Sequence, residues 1–405
     1  MMKHTLKYFL ISFFCVSCLC LSSQRTYASE LEEYAPIFQD DFSTFYLDEA
    51  GNARIHWNPS WWPSDASSLT YEVEIASNPE FTEAQKFETQ ETSLALKKSQ
   101  FGTNGGKYYC RVRVCDSSAE TPVYSNWSET KEFAYVKINK TNFPGLYTLL
   151  KKNISDTNED GWLDPTEIQN IWSLETRSVS KQKNGKWVTT PATKVSSLEG
   201  VEYLTNLCSI SLDQYSGKKV DLSKNKVTSL TIRGITSTQI SVNAPDATYV
   251  HIESHFSTKL TKMDLAKCNK AVNLSAYGSN KTKTLKLPST KKNLKVLSLS
   301  DFGFKTLNVN AYTNLQQLYV YKCNLSKAQL NKCKNLRYLY FYFCDKIKNV
   351  DISKNTKLRG IDIYSCKGLS KKTVKTYKKT KLTWNKGKWW YSTDAYSKDM
   401  NNLYK

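Results

Sequence analysis

Apolar residues recur at a near-constant interval along the C-terminal half of the chain. Asn314-Leu-Gln-Gln-Leu-Tyr-Val-Tyr-Lys-Cys323, Asn335-Leu-Arg-Tyr-Leu-Tyr-Phe-Tyr-Phe-Cys344 and Lys357-Leu-Arg-Gly-Ile-Asp-Ile-Tyr-Ser-Cys366 follow one another at spacings of 21 and 22 residues. Each keeps the frame L-x-x-L-x-φ-x-x-C, whose alternating stretch predicts a short strand. One unit cannot bury its own leucines, so the interval predicts strands stacked as rungs. Asn293-Leu-Lys-Val-Leu-Ser-Leu299 is a clear earlier copy, and Asn206-Leu-Cys-Ser-Ile-Ser-Leu212 reads as the first. Between them Leu230, Ile232, Ile240, Val250, Ile252, Leu274 and Ala276 hold the apolar spacing.

A second half-motif alternates with the first: Val220-Asp-Leu-Ser-Lys-Asn225, Asp264-Leu-Ala-Lys-Cys268, Gln329-Leu-Asn-Lys-Cys333 and Val350-Asp-Ile-Ser-Lys-Asn355. An inward Leu or Ile is followed three residues later by Asn or Cys. A buried Asn there can bond the turning backbone of adjacent rungs, and Cys packs as a small hydrophobe. The two frames together resemble the leucine-rich repeats of secreted and surface proteins from Gram-positive anaerobes, over residues 195 to 385. That resemblance implies a solenoid with an open face for a partner.

Residues 35 to 137 alternate differently. Ala53-Arg-Ile-His-Trp57, Thr70-Tyr-Glu-Val-Glu-Ile-Ala76 and Lys107-Tyr-Tyr-Cys-Arg-Val-Arg-Val-Cys115 are strand-like, with Asn58-Pro59, Asn78-Pro79 and Gly105-Gly106 as turns. This is the pattern of a β-sandwich. Trp57, the Tyr-x-Val-x-Ile run before Ser77-Asn-Pro-Glu-Phe81, and Ser125-Asn-Trp-Ser-Glu129 make it resemble a fibronectin type III domain. In that resemblance Tyr108 falls at the tyrosine corner, its hydroxyl bonding backbone upstream. Trp57 is expected in the core, while Trp61 and Trp62 lie in a loop. The fold class expected is therefore multidomain and mainly β: a sandwich, a short helical cap at 141–175, a solenoid, and a tail at 386–405.

The sharpest chemical motif lies between the modules. Asp156-Thr-Asn-Glu-Asp-Gly-Trp-Leu-Asp-Pro-Thr-Glu167 matches the twelve-residue EF-hand loop. Asp156, Asn158 and Asp160 would supply oxygens at positions one, three and five, and Trp162 its carbonyl at seven. Asp164 acts at nine and Glu167 binds bidentately at twelve. Gly161 permits the sharp turn, and Leu163 tucks beneath the loop. Ca2+ is a hard cation that takes about 6 to 8 oxygen ligands, and this spacing wraps them around one point. Phe143 to Leu150 is the expected entering helix, and Pro165 opens the exiting one. A lone loop of this kind ahead of such repeats resembles the N-terminal cap of the surface proteins above, which implies a structural ion.

Lys3 and Lys7 precede an apolar run from Tyr8 to Leu21 and the small-residue site Thr26-Tyr-Ala28. That predicts a signal peptide over 1–28, cleavage after Ala28, and a secreted or cell-surface protein. Cys18 after Ser17 offers a lipidation site, but Cys15 stands where a lipobox wants Leu, so a lipoprotein is the lesser alternative. Cys15, Cys18 and Cys20 leave with the signal, which keeps 8 of the 11 cysteines. Cys323, Cys344 and Cys366 occupy equivalent rungs with parallel side chains, and buried thiols are expected there.

Charge divides the chain. Residues 29 to 137 hold 9 Lys and Arg against 18 Asp and Glu, whereas residues 138 to 405 hold 45 against 19. So basic a solenoid draws polyanions, or simply stays soluble through its lysine-rich turns. Register places Tyr321, Tyr342 and Tyr364 in one outward column, Tyr319 and Tyr340 in the next, and Arg337 and Tyr338 alongside. Exposed Tyr and Arg make binding hot spots, and flat rings suit sugar faces. His251 and His255 share a strand face without a zinc-helix spacing. The tail Trp384-Asn-Lys-Gly-Lys-Trp-Trp-Tyr391 reads as a C-terminal cap. No nucleophile elbow, phosphate loop or metalloprotease helix is found, so no enzyme is expected. The expected partner is an extracellular protein or glycan, including one from a host; the alternative is passive attachment to anionic wall polymer. Nucleic acid is not favoured.

Overall fold

In the computed structural model the described residues are 35–38, 44–59, 69–117, 121–153, 155–176, 179–183, 186–190, 192–254, 259–370, 372–377, 383–385 and 388–392. The expected signal peptide, Trp61, Trp62 and His255 lie outside them. The chain divides into two compact units, one of residues 1–137 with 158–170, the other of residues 138–157 with 171–405.

In the first unit, strands β1 (Phe45–Leu47), β2 (Ala53–His56) and β5 (Ser93–Ala95) form one antiparallel sheet. A second sheet runs in the order β4 (Gln85–Thr89), β3 (Leu69–Ala76), β6 (Gly105–Asp116), β8 (Lys131–Lys137) and β9 (Trp162–Leu163), with β7 (Val123–Tyr124) on β6. The alternation read from the sequence sends Ile55, Val73, Ile75, Cys110, Val112 and Phe133 into one shared core around the fully buried Trp57. The Tyr108 hydroxyl donates to the Phe101 carbonyl at 2.8 Å, seven residues upstream.

The second unit is a mainly β solenoid. Helix Pro144–Asn153, slightly longer than expected, buries Leu146, Leu149 and Leu150. The first strand of the long sheet is Ser173–Glu175, which pairs in parallel with Ser209–Leu212. The stack therefore begins upstream of residue 195, on three residues that carry no repeat frame. From there the sheet climbs in parallel through 229–232, 249–253, 273–277, 296–300, 317–321, 338–342 and 360–364. Leu318, Val320, Leu339, Phe341, Ile361 and Ile363 are at most 1% exposed, because period-two alternation points each of them inward. Shorter parallel strands such as Lys219–Asp221 and Gln239–Asn243 line the other side of each turn.

The half-motif asparagines do what their position implies. Asn225 Nδ2 donates to the Val201 and Leu204 carbonyls at 2.9 and 3.1 Å, and Asn355 Nδ2 to Leu330 and Cys333 at 3.0 and 2.8 Å. Cys333 takes the same place with its thiol on the Val309 carbonyl at 3.1 Å. All eight described cysteines are unbridged. Burial pushes the Cys268, Cys323 and Cys333 thiols up to about 12, so they are inert packing groups. At the end of the stack, Lys388–Ser392 pairs antiparallel with Gly360–Tyr364, and Thr383–Asn385 pairs with it in turn.

Candidate functional site

The outward positions of the last rungs form a cluster of rings. Register aligns Tyr321 with Tyr342 and Tyr342 with Tyr364, while Tyr319 aligns with Tyr340. The columns expected from the sequence are thus present. Tyr319 lies 6.3 Å from Tyr321 in a parallel stack and 5.6 Å edge-on from Tyr342, which meets Tyr364 at 6.1 Å. Tyr364 is 40% exposed, and Tyr319, Tyr321, Tyr342 and Arg337 are partly so.

Two expected members do not belong to the accessible surface. Tyr338 is fully buried and Tyr340 is 8% exposed. Alternation assigns a residue to a face, but says nothing about how closely its neighbours cover it. Tyr340 is enclosed by Tyr319 and Tyr342, at 6.0 and 6.3 Å. Next to Tyr340 in its column lies Asp362, whose Oδ2 accepts from the Tyr342 hydroxyl at 2.7 Å. Its buried Oδ1 has no partner among the described residues. Burial raises the Tyr319 phenol, with the neighbouring Tyr321 adding to it.

Phe343, which the repeat frame did not single out, extends the cluster. It is 40% exposed and packs edge-on against Tyr321 at 5.5 Å and Tyr364 at 5.3 Å. Its φ is +54°, and Asp301, Lys322 and Ser365 turn the same corner on neighbouring rungs at +61°, +50° and +51°. Left-handed backbone is uncommon for a residue with a Cβ and a real outlier for a bulky one. Phe343 thus carries a local backbone cost while its ring stays partly in solvent against Tyr321 and Tyr364.

The candidate calcium loop keeps several features of its frame. Gly161 has φ +78°. Leu163 is fully buried in β9, opposite Val136 of β8. Asp164 caps helix Pro165–Ile168: its Oδ1 accepts from Thr166 N, Thr166 Oγ1 and Glu167 N at 2.7, 2.5 and 3.0 Å, and Glu167 Oε2 accepts from Asp164 N at 3.3 Å. Asn158 Oδ1 accepts from Asp160 N, and Asp160 Oδ1 from Trp162 N. Asp160 Oδ2 pairs with Lys98 at 2.5 Å. Burial, and then the charges of Asp164, Asp160 and Glu167, raise the Tyr135 phenol, so three loop carboxylates act on one group. Among the described residues, no three His, Cys, Asp or Glu side chains converge closely enough to hold a metal. The division between the two compact units falls between Thr157 and Asn158, leaving Asp156 on the other side of it. His251 bonds Glu253 at 3.1 Å and lies 5.2 Å from the Tyr277 ring, a half-buried histidine with partners in the fold.

No protein-family model matches the sequence, and no curated protein matches it. Among solved structures, an internalin (inlF) from Listeria monocytogenes is similar at 14% identity and a TM-score of 0.27, covering 56% of this chain and 84% of that one. The functional domain of InlJ from Listeria monocytogenes, described as including a cysteine ladder, is similar at 15% identity and a TM-score of 0.23, over 57% and 62% of the two chains. Likeness at this level assigns neither a family nor a function. Among the described residues, no helix is long and apolar enough to cross a membrane.

Proposed function

We propose that this is an exported ligand-binding or adhesion protein that holds an extracellular protein or glycan against the aromatic end of its solenoid face. The observation that carries the reading is the accessible group Tyr319, Tyr321, Tyr342, Phe343 and Tyr364, set on rungs whose interior is closed and apolar. Rigid aromatic side chains lose little entropy on binding and dominate interface hot spots. A fibronectin type III-like N-terminal unit would act as spacer or docking module in this reading. In this reading function rests on recognition rather than catalysis.

In the same reading the Asp156–Glu167 loop binds Ca2+ as a structural ion. Asp156, Asn158, Asp160, Asp164, Glu167 and the Trp162 carbonyl are all oxygen donors of the kind a hard cation takes; the ion would have to draw their carboxylates together and take Asp160 from Lys98. Bound calcium neutralises the acidic loop and stabilises the fold through mass action.

The test is the full chain on an array of glycans and matrix proteins at near-physiological salt with calcium, beside a Tyr319→Ala/Tyr364→Ala variant. A ligand bound by the parent and lost by the variant supports the reading. Equal binding by both removes the aromatic face from consideration.

A further inference from the structure

Beside the aromatic cluster, on the edge where the long sheet's strands end, runs an open groove of about 960 Å³. Five lysines line it, Lys262, Lys281, Lys283, Lys322 and Lys346, against a single carboxylate, Asp345. Asp345 is itself engaged by Lys367 at 3.7 Å. All five lysines are exposed, and none forms an ion pair with a described residue. Some lysines elsewhere on the solenoid do hold a carboxylate: Lys219, Lys270 and Lys286 each pair with an aspartate, Asp221, Asp246 and Asp264, at 2.8, 2.5 and 2.8 Å. What sets the groove apart is that five such unpaired ammonium groups line one concave surface.

We infer that this groove is a second binding site, beside the tyrosine face and sharing only Phe343 with it, for an extended acidic polysaccharide. Three observations select that class. The lysines follow the 249–253, 273–277, 317–321 and 338–342 strands, so they climb the stack. With rungs about 4.8 Å apart this suits a linear polymer rather than a compact anion. Phe343 stands at the groove's rim with its ring exposed, and Asn280 and Asn324 line the wall, giving a stacking surface and amides for hydroxyls. No arginine lines the groove. Ammonium groups act as point charges on carboxylate or sulfate, whereas arginine is the favoured reader of nucleic-acid phosphate. The backbone behind Asn280 is closely packed. At Gly303 an added Cβ would meet the Asn280 carbonyl oxygen at 2.0 Å, so the corner backbones pack too closely for any other residue.

The experiment is titration of the full chain with labelled heparin, with neutral dextran, single-stranded DNA and polyglutamate as competitors. Heparin should bind with an affinity that falls steeply with salt, and dextran should not compete. Lys281→Gln/Lys283→Gln/Lys346→Gln should weaken binding about tenfold or more, since each lysine contributes appreciably to a polyanion contact. Lys219→Gln/Lys270→Gln/Lys286→Gln makes the same change in net charge and should leave affinity within about twofold. Phe343→Ala should cost a few-fold without altering the salt slope. The Tyr319→Ala/Tyr364→Ala variant should keep its heparin affinity, which separates this site from the proposed ligand face. Equal losses in the two lysine variants would reduce the effect to net charge and overturn the site. DNA or polyglutamate competing as well as heparin would overturn the glycan assignment.

Discussion

Aromatic rings meet basic side chains in both units of this chain, and two of these meetings are arranged in opposite ways. On the N-terminal sheet, Arg111 lies between Phe81 and Trp127, at 4.2 and 4.3 Å, and Arg113 between Tyr124 and Trp127, at 3.9 and 4.4 Å. Each guanidinium also holds a glutamate: Arg111 bonds Glu74 at 2.6 and 2.8 Å, and Arg113 bonds Glu72 at 2.6 and 2.9 Å. Ser125 and Ser128 fasten the Trp127 segment by accepting from Val114 N and Val112 N. Each guanidinium in that ladder is thus held by two rings and a carboxylate within the fold. On the solenoid the tyrosines pack against one another, Lys322 leans on Tyr321 at 5.1 Å, and the neighbouring groove lysines form no ion pair with a described residue. A saturated ladder stabilises its own unit, whereas an unsaturated one holds interaction capacity for something else.

The contrast can be broken most directly at Trp127. Replacing it by alanine removes two cation–π contacts and their packing, and should cost about 2–4 kcal/mol in denaturant unfolding. A neutral outcome would mean that the N-terminal ladder is not structural. Calcium is expected next: at about a hundredfold excess over Kd it should add about 2.7 kcal/mol, read as a rise in Tm that chelator reverses and Glu167→Gln abolishes. Within the solenoid, Asn355→Ala withdraws the donor from two buried carbonyls and should cost about 2–3 kcal/mol.

Acid should loosen the saturated ladder. Burial opposes ionisation of Glu74, but hydrogen bonds from Arg111 and Lys86 outweigh it and hold the carboxyl below its ordinary 4.5. A depressed folded value means the contribution is complete above that pH and is lost as pH falls through the folded value. Glu74→Gln should therefore flatten the acid side of the Tm profile. The smallest effect is expected from Tyr364→Ala, within about 0.5 kcal/mol, because an exposed ring makes few internal contacts. A large loss there would place the solenoid rings among structural groups after all.

Much of this was legible in the chain before its structure. The inward Leu318, Leu339 and Ile361 and the outward Tyr321, Tyr342 and Tyr364 follow from alternation and a 21-to-22-residue interval, because stacked rungs preserve position within the repeat. The asparagine rule held at Asn225 and Asn355 for the same reason. Burial of Tyr338 and Tyr340 was not legible, since enclosure depends on neighbours from adjacent rungs and their rotamers. The Ser173–Glu175 strand carries no frame to find. The groove joins Lys262 to Lys346 across five turns, and only the rung lengths in between bring them to one edge. Phe343 is visible in the sequence as the aromatic occupant of a corner held elsewhere by Asp301, Lys322 and Ser365, but the left-handed geometry of that corner is not written in the letters.

The antiparallel strand Lys388–Ser392 has a consequence for growth. A parallel edge is a template: its free amides and carbonyls would accept one more repeat, or the first rung of a second molecule, in the direction already established. The strand laid on the last parallel rung is reversed, and among the described residues the outermost strand, Thr383–Asn385, is three residues long. The parallel ladder there meets an antiparallel pair, so a duplication that lengthened it would have to occur inside the stack, carrying the aromatic rungs and that pair outward together.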